Sequence, residues 1–210
     1  MSPKQITPKH EYPYASEDAT YNSAYLLTPI KKILAAEPAI HKRIFELGCG
    51  NGYNAKLLSH EGYNIVAIDP SNSGITEAQR SPSKVQFAVA SAYDDLSSVF
   101  GTFEVLLSIE VVEHVFYPRT YAKTAFDLLE PGGVAIITTP YHGYLKNLVI
   151  ALCGKFDAHV NPLWDGGHIK FWSKSTLREL LTEAGFKSVE YRTAGRFPWL
   201  AKSMIAIARK

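Results

Sequence analysis

Apolar and polar residues alternate along this 210-residue chain in blocks that indicate strands and helices in turn. Apolar runs of roughly four to eight residues between glycines or polar residues predict buried strands, whereas apolar positions at helical spacing predict helices. From about residue 43 the two kinds follow one another regularly. The predicted strands are about 43–47, 64–68, 85–89, 103–109, 134–139, 187–193 and 203–208, and the main helices are about 53–61, 72–79, 118–129 and 173–184.

This alternation predicts an α/β fold, in which a mostly parallel sheet carries helices on both faces. Residues 1–42 are expected to form an irregular arm and one or two lid helices, interrupted near Pro29. Residues 43–210 then form the main domain, with a lid insertion over about 141–170. The last two strands, joined by a turn around Gly195, are expected to pair as a hairpin.

The first predicted strand runs directly into a glycine turn that opens the next helix. The turn has the sequence Glu46-Leu47-Gly48-Cys49-Gly50-Asn51-Gly52, with glycines at alternate positions. Glycine permits a tight backbone turn and leaves the main chain open to a ligand. The segment therefore predicts a ligand-binding loop, and the alternative is a glycine-rich connector that binds nothing.

An acidic residue, Asp69, ends the next apolar run, twenty-one residues after Gly48. A carboxylate at this place in an α/β domain can accept hydrogen bonds from the hydroxyls of a ribose. The spacing predicts a nucleoside-binding domain, although Asp69 could instead act as a plain helix cap.

Details of the turn distinguish between nucleoside ligands. A dinucleotide fingerprint, G-x-G-x-x-G, needs its third glycine where this chain has Tyr53. Glu46, two residues before Gly48, would repel a pyrophosphate but suits a cationic ligand. The E-L-G-C-G-x-G pattern resembles motif I of the class I S-adenosylmethionine (SAM)-dependent methyltransferases, whose cofactor has a sulfonium and an ammonium but no phosphate.

That resemblance implies a Rossmann-like class I methyltransferase fold, a seven-stranded and mostly parallel sheet with a C-terminal antiparallel hairpin. Glu46 would hold the SAM ammonium, Asp69 the ribose, and Pro70 would shape the adenine slot. Ser91 stands where the family often has an aspartate that accepts from the adenine amino group. The implied cofactor-binding residues are Glu46, Gly48, Cys49, Gly50, Asn51, Gly52, Asp69, Pro70, Ser91, Ala92 and Ile109.

A polar cluster, Glu110-Val111-Val112-Glu113-His114, follows the fourth predicted strand. In a helical turn Glu110 would lie beside Glu113 and His114, three and four residues on. Two carboxylates and an imidazole on one face can hold a divalent metal ion, or can place a general base next to a methyl acceptor. A purely structural role is the third interpretation.

The segment E-V-V-E-H-V resembles the same region of ubiquinone-biosynthesis O-methyltransferases, and the similarity to this branch covers about residues 43–190. The paired glutamates and histidine, with a distant second histidine, also resemble the metal site of small-RNA 3′-terminal 2′-O-methyltransferases. The latter resemblance implies that Mg²⁺ or a similar ion is bound by Glu110, Glu113, His114 and His168. The same four residues are the predicted catalytic residues. Such an ion would lower the pKa of an acceptor hydroxyl.

An acceptor pocket is expected between the N-terminal tyrosines and the insertion, whose aromatic residues suit an aromatic, sugar or amphipathic molecule. A short apolar helix at about 145–152, flanked by lysines, could contact a membrane or a lipid-like substrate. A packed lid or a dimer surface is the other interpretation of that helix. The pocket residues are expected to be Tyr12, Tyr14, Tyr21, Tyr25, Tyr141, His142, Tyr144, Phe156, His159, Trp164 and His168.

Composition narrows the class of protein. A formal net charge of +2 gives no reason to expect a nucleic-acid-coating surface. Cys49 and Cys153 are far apart and Cys49 lies in the glycine turn, so both are expected to be reduced thiols in a cytoplasmic protein. No apolar run approaches the roughly 20 residues that cross a bilayer. The sequence leaves the oligomeric state open.

The sequence therefore predicts an enzyme that transfers methyl from SAM to a small-molecule acceptor, with S-adenosylhomocysteine (SAH) as product. An oxygen acceptor is favoured because the Glu-x-x-Glu-His cluster can take a proton. The alternatives are a metal-dependent RNA 2′-O-methyltransferase and a non-catalytic SAM- or nucleotide-binding module. The near-neutral charge argues against the first, and the polar cluster argues against the second.

Overall fold

The computed structural model of the chain describes residues 12–19, 22–37 and 43–210. Its strands are β1 Arg43–Leu47, β2 Asn64–Asp69, β3 Gln86–Val89, β4 Phe103–Ile109, β5 Leu129–Pro140, β6 Ser188–Ala194 and β7 Ser203–Arg209. Its helices are α1 Ser23–Ala36, α2 Tyr53–His60, α3 Asn72–Ala78, α4 Leu96–Phe100, α5 Pro118–Asp127, α6 Tyr144–Leu152, α7 Phe156–His159 and α8 Lys174–Glu183, with a 3₁₀ helix at Pro198–Leu200.

The seven strands form one sheet in the order β3-β2-β1-β4-β5-β7-β6. The first five pair in parallel, whereas β7 is antiparallel to β5 and β6 is antiparallel to β7. The predicted Rossmann-like sheet with its C-terminal hairpin is therefore confirmed. The order reverses between β1 and β4, and ligands of such sheets bind at the carboxyl ends of the strands beside this point.

Helices cover both faces of the sheet. One face is packed by α1, α2 and α3, and the opposite face is packed by α4, α5 and α8. The expected interruption near Pro29 is absent, because α1 runs through this residue as one helix. Leu26, Ile30 and Leu34 of α1 are fully buried against the sheet, and the lid role predicted for this region stays a prediction.

Strand β5 begins five residues earlier than the sequence predicts. Leu129 already pairs with Phe103, and the register then shifts before Val105 pairs with Val134. The Pro-Gly-Gly segment expected to precede the strand lies inside it as an irregularity, where Gly132 has a φ of +83°. Glycine accommodates this left-handed conformation without a side-chain clash.

The insertion between β5 and α8 contains α6 and α7. Much of its apolar surface is exposed, as discussed below. Across the described ranges, none of the helices has the length and apolar character needed to cross a membrane.

Candidate active site

The glycine turn follows β1 and is tied to the neighbouring strand β2. Gly48, Gly50 and Gly52 all have positive φ, at +84°, +53° and +74°. The backbone N–H groups of Gly48 and Cys49 both donate to the carbonyl of Ile68, at 2.9 and 2.8 Å. The turn is therefore held in one shape by the strand beside it.

Two of these glycines are required by packing inside the protein. A methyl group built on Gly48 would lie 2.5 Å from Val111 Cγ2, and one on Gly52 would lie 2.7 Å from both Ala78 Cβ and Phe87 Cζ. Contacts this short cannot be accommodated without displacing the neighbours. The absence of a side chain at these two positions therefore serves close packing, and not only access for a ligand.

Asp69 ends β2 and braces the turn. Its Oδ2 accepts from the Gly50 N–H at 2.8 Å, and its Oδ1 accepts from the Ser71 N–H at 2.9 Å. Ser71 caps α3, since its Oγ accepts from the Gly74 N–H at 3.0 Å. Asp69 thus orders both loops beside the predicted ribose position, and its contact with the ribose stays a prediction.

Glu46 is a buried carboxyl group just before the turn. Its side chain is 1% exposed, and no hydrogen bond from the described residues reaches its Oε2. Burial, reinforced by the charge of Asp69, raises the pKa of Glu46 to about 8. A buried carboxyl oxygen without a partner is costly unless a ligand satisfies it. An ammonium group such as that of SAM could satisfy this oxygen, so the residues present suit the predicted cofactor, and the contact of Glu46 with SAM stays a prediction.

Asn51 and Ser91 have other partners in the structure. Asn51 Nδ2 donates to the backbone carbonyls of Ser16 and Asp18, in a segment that we call the arm (residues 12–19). The Asn51 amide therefore holds the arm, which the sequence did not suggest. Ser91 Oγ accepts from the Tyr93 N–H at 3.2 Å.

The remaining cofactor-binding candidates lie at the same end of the sheet. Pro70 follows β2, Ala92 follows β3, and Ile109 is the last residue of β4. Their contacts with a cofactor stay predictions.

Three members of the predicted polar cluster come together beyond β4. One ligand atom from each of Glu113, His114 and His168 lies within 4.8 Å of the others. Glu113 Oε1 is 4.0 Å from His114 Nε2 and 3.9 Å from His168 Nε2. Glu113 is 1% exposed, and neither of its carboxyl oxygens has a hydrogen-bond partner among the described residues.

The hydrogen bonds of His114 select one tautomer of its neutral ring. Its Nδ1 lies 2.9 Å from the carbonyl oxygen of Gly166 and 3.2 Å from that of Gly167. A carbonyl oxygen only accepts, so Nδ1 carries the proton and Nε2 presents a lone pair towards Glu113. Burial lowers the pKa of His114, which favours this neutral tautomer.

Burial also determines the charges of the two other residues. It lowers the pKa of His168 to about 4, with a further contribution from the charges of His114 and His142. It raises the pKa of Glu113 well above its ordinary value, and the charge of Glu110 adds to this effect. Without a bound cation, the cluster therefore favours neutral imidazoles and a protonated glutamate.

Glu110, predicted as the fourth ligand, is not part of this cluster, and this prediction is corrected. Its Oε1 accepts a hydrogen bond from Thr138 Oγ1 of β5 at 2.9 Å. Its backbone adopts a φ of +55°, unusual for a residue with a side chain. The expected helical turn therefore does not form at Glu110, because its backbone and side chain both engage Thr138.

The insertion is fastened to the cluster through the main chain. The N–H groups of Ile169 and Lys170 both donate to the carbonyl of Glu113, at 2.9 and 3.0 Å. Trp172 Nε1 donates to the carbonyl of Val112 at 3.1 Å. These bonds bring His168 to His114 across more than fifty residues of sequence.

Among the described N-terminal tyrosines, Tyr12 and Tyr14 lie together and Tyr25 lies apart, and the acceptor pocket stays a prediction. Tyr14 lies against Gly50 in the glycine turn, with its ring 4.9 Å from that of Tyr12. Tyr25 instead points to β7, where its hydroxyl lies 3.0 Å from Ser203 Oγ. Tyr21 falls outside the described residues.

Trp164 of the insertion is the aromatic residue that does reach the cluster. Its ring lies 6.1 Å from that of His114 and 5.2 Å from that of His168. Phe156 and His159 of α7 are exposed.

The chain is similar to known methyltransferases in sequence and in fold. The ubiquinone biosynthesis O-methyltransferase of Caulobacter sp. (strain K31) is 34% identical over 116 residues, covering 53% of this chain and 46% of that protein. The protein of the same name from Ruegeria pomeroyi is 30% identical over 156 residues, covering 70% of this chain and 61% of that protein. The chain thus spans about half the length of the curated relatives it matches.

A crystal structure of a SAM-dependent methyltransferase from Archaeoglobus fulgidus shares the fold, with a TM-score of 0.67 and 16% identity. The match covers 88% of this chain and 93% of that one. A family model described as a methyltransferase domain matches residues 19–191, well over half of the chain. The chain therefore belongs to this methyltransferase-domain family.

Proposed function

We propose that the protein transfers the methyl group of SAM to a hydroxyl oxygen of a small molecule, such as a phenol, a sugar or a quinone precursor. The observation that carries this proposal is the hydrogen bond from His114 Nδ1 to the Gly166 carbonyl, which leaves Nε2 of the neutral ring unprotonated beside Glu113. An oxygen acceptor must lose a proton as it attacks, and this imidazole can receive it. The O-methyltransferase names of the relatives agree with this acceptor atom.

The residues of the chain mainly bind and align the reactants. SAM supplies an electrophilic methyl on a sulfonium, so alignment can contribute roughly 7–11 kcal/mol of the acceleration. Glu46 would bind the ammonium and Asp69 the ribose. The acceptor proton would pass to His114 Nε2 while the oxygen takes the methyl carbon and the carbon–sulfur bond breaks to leave SAH. The Gly166 carbonyl accepts a hydrogen bond from Nδ1 and would hold the ring in one orientation during this transfer.

A divalent cation is a second way to activate the hydroxyl. Glu113, His114 and His168 would hold it, and the two unpartnered Glu113 oxygens fit such a role. The ion would lower the pKa of the acceptor hydroxyl. Two imidazoles and one carboxylate suit Zn²⁺ or Fe²⁺ better than Mg²⁺, which prefers oxygen ligands. Because Glu110 lies outside the cluster, the expected Mg²⁺ loses one of its two carboxylates.

The deciding experiment is transfer of labelled methyl from SAM into a cell extract, separated into polar, lipid, RNA and protein fractions. Label in the polar or lipid fraction supports a small-molecule acceptor, and label in RNA would replace this proposal by the nucleic-acid alternative. Inhibition by a chelator, reversed by added Zn²⁺ or Fe²⁺, would favour the cation. Unchanged transfer with a chelator would favour His114 as the base.

The cofactor itself is tested by calorimetric titration with SAH and, in parallel, with NAD. We expect SAH to bind and NAD not to bind, because Glu46 would repel a pyrophosphate and Tyr53 replaces the third glycine of the dinucleotide fingerprint. Binding of NAD without SAH would contradict the assignment.

A further inference from the structure

The arm is fixed across the start of α2 by side-chain contacts. Asn51 Nδ2 donates to the carbonyls of Ser16 and Asp18 at 2.8 Å each. Lys56 Nζ of α2 donates to Glu17 Oε2 at 2.7 Å. A segment far from the glycine turn in the sequence is thereby held on that turn.

Tyr14 is the arm residue that reaches the middle of the turn. A methyl group built on Gly50 would lie 2.6 Å from Tyr14 Oη, and one built on Gly74 would lie 3.0 Å from Tyr14 Cδ2. The backbone N–H of Tyr14 donates to Ser73 Oγ at 3.2 Å. The Tyr14 ring therefore lies between the glycine turn and α3, with its hydroxyl at Gly50.

The backbone of the turn offers few donors to an anionic group. The N–H groups of Gly48 and Cys49 donate to β2, and that of Gly50 donates to the carboxylate at the end of β2. The N–H of Gly52 donates to the carbonyl of Cys49 at 2.9 Å. The N–H groups of Gly48, Cys49, Gly50 and Gly52 are therefore used within the protein, which leaves few backbone donors in the turn for the α-carboxylate of SAM.

Because the side chains around the turn are acidic, a neutral hydrogen-bond donor is well suited to bind the α-carboxylate of SAM. Glu46 suits the ammonium of SAM and Asp69 suits its ribose, but both carboxylates repel the α-carboxylate of SAM when they are ionised. A phenol hydroxyl can donate to that carboxylate without adding a charge. Burial, together with the charge of Asp69, raises the pKa of Tyr14, so its hydroxyl keeps its proton at neutral pH.

We propose that Tyr14 is a cofactor-binding residue whose hydroxyl donates a hydrogen bond to the α-carboxylate of SAM and SAH. This inference rests on the SAM site proposed above. The arm would then bind the methionine end of the cofactor. The sequence had instead predicted that the tyrosines of the arm line the acceptor pocket.

The test compares two ligands that differ only in the carboxylate. Wild-type protein, Tyr14→Phe and the neighbouring control Tyr12→Phe are titrated calorimetrically with SAH and with its decarboxylated analogue, S-adenosyl-3-thiopropylamine. Tyr14→Phe should weaken SAH roughly tenfold or more, because it removes a hydrogen bond to a charged group. Its affinity for the decarboxylated analogue should match that of the wild type, and Tyr12→Phe should bind both ligands normally.

Three outcomes would overturn the inference. Unchanged SAH affinity in Tyr14→Phe would show that the hydroxyl makes no such bond, and tighter binding would show that it obstructs the site. Equal weakening of both ligands would reduce Tyr14 to a packing role. Failure of the wild-type protein to bind SAH is a different result, because it would reject the proposed SAM site itself.

Discussion

Glu46 shows how burial sets the chemistry of a single residue. The side chain lies at the end of a strand beside Asp69, and burial holds its pKa near 8 in the absence of a ligand. The bound ammonium of SAM would favour the ionised carboxylate. Binding near pH 7 should therefore release a proton from Glu46.

Replacing Glu46 by glutamine tests this coupling. Glu46→Gln should weaken SAH roughly 10- to 100-fold, because a hydrogen bond between charged groups is lost. Calorimetry in buffers of different ionisation enthalpy should show proton release in the wild type and much less in the variant. The exposed Glu179 of α8 provides the control, since Glu179→Gln should change neither quantity.

The same pKa predicts a pH dependence of stability. The unfolded chain releases the Glu46 proton near pH 4.5, whereas the ligand-free folded protein keeps it to about pH 8. The folded state binds more protons in this window, so the contribution of Glu46 to stability falls as the pH rises from about 4.5 to about 8. Urea denaturation across this range should show a flatter profile for Glu46→Gln; parallel profiles would contradict the burial argument.

His114 is the residue on which the proposed chemistry depends. His114→Ala should lower the turnover of an oxygen acceptor by roughly 10²- to 10⁴-fold, the usual contribution of a positioned acid or base. SAH affinity should stay within about twofold, since none of the proposed cofactor contacts involves His114. Exposed His159 of α7 is the matched control, and equal activity of the two variants would leave His114 with a structural role.

At the scale of elements, the glycine turn and its neighbours form one packed unit. Gly52 caps α2 with a left-handed backbone and contacts Ala78 of α3 and Phe87 of β3. Gly62 also has a positive φ, but nothing lies within 4 Å of a methyl group built there. A substitution at Gly62 therefore measures the cost of backbone strain alone, whereas a substitution at Gly52 measures strain and overpacking together.

Gly52→Ala should therefore destabilise the protein more than Gly62→Ala. Both substitutions strain a left-handed backbone by roughly 1–2 kcal/mol, and overpacking at Gly52 should add roughly 1–3 kcal/mol. Chemical denaturation of the two variants measures the difference. Equal losses of stability would mean that Ala78 and Phe87 move aside for the added methyl group at little cost in free energy.

Most elements could be predicted from the sequence because their signals are local. The apolar runs of β1, β2 and β4 and the glycine turn lie in consecutive residues. The early start of β5 could not be predicted, since it depends on the pairing of Leu129 with Phe103 in another strand. The passage of α1 through Pro29 likewise depends on burial of Leu26 and Leu34 against the sheet.

At the scale of the whole molecule, exposed apolar side chains are concentrated on one surface. This surface, the insertion surface, comprises α6, α7, the following loop and the 3₁₀ helix, and α6 contacts the 3₁₀ helix. Leu152 is 79% exposed and Trp199 is 71% exposed. Its other large exposed side chains are Tyr144, Leu145, Leu148, Val149, Phe156, Leu163, Trp164, Phe197 and Leu200.

Two exposed basic residues accompany this surface, Lys155 after α6 and Arg196 before the 3₁₀ helix. Lys146 and Lys202 also lie beside it, but Lys146 Nζ donates to the carbonyl of Lys202 at 3.2 Å and Lys202 Nζ lies over the Tyr25 ring. We expect an anionic lipid membrane to be the partner of this surface. Apolar and tryptophan side chains next to lysine and arginine are typical of interfacial membrane contacts. An amphipathic or lipid-linked acceptor could then be taken directly from the bilayer.

We expect the protein to float with vesicles that contain phosphatidylglycerol, and less so with neutral vesicles. Leu152→Ser combined with Trp199→Ser should reduce this binding, because both changes remove apolar area from the insertion surface. Val99 on α4 is 72% exposed outside this surface, so Val99→Ser is the control. Equal vesicle binding by the double variant and the wild type, or no vesicle binding at all, would contradict a membrane contact of this surface. A concentration-dependent dimer would then identify a second copy of this chain as its partner.

The sequence by itself determined the α/β sheet, the glycine turn, the position of Asp69 and the placement of the polar cluster after β4. These features depend on short-range sequence patterns. The parallel strands then place the glycine turn, Asp69 and the polar cluster at one end of the sheet. Only the tertiary structure decided that His168 joins Glu113 and His114 while Glu110 turns to Thr138, and that Tyr14 covers Gly50. Those contacts join residues that are distant in sequence. Local sequence patterns do not show which of several distant residues will meet, because hydrogen bonds across the folded protein determine this.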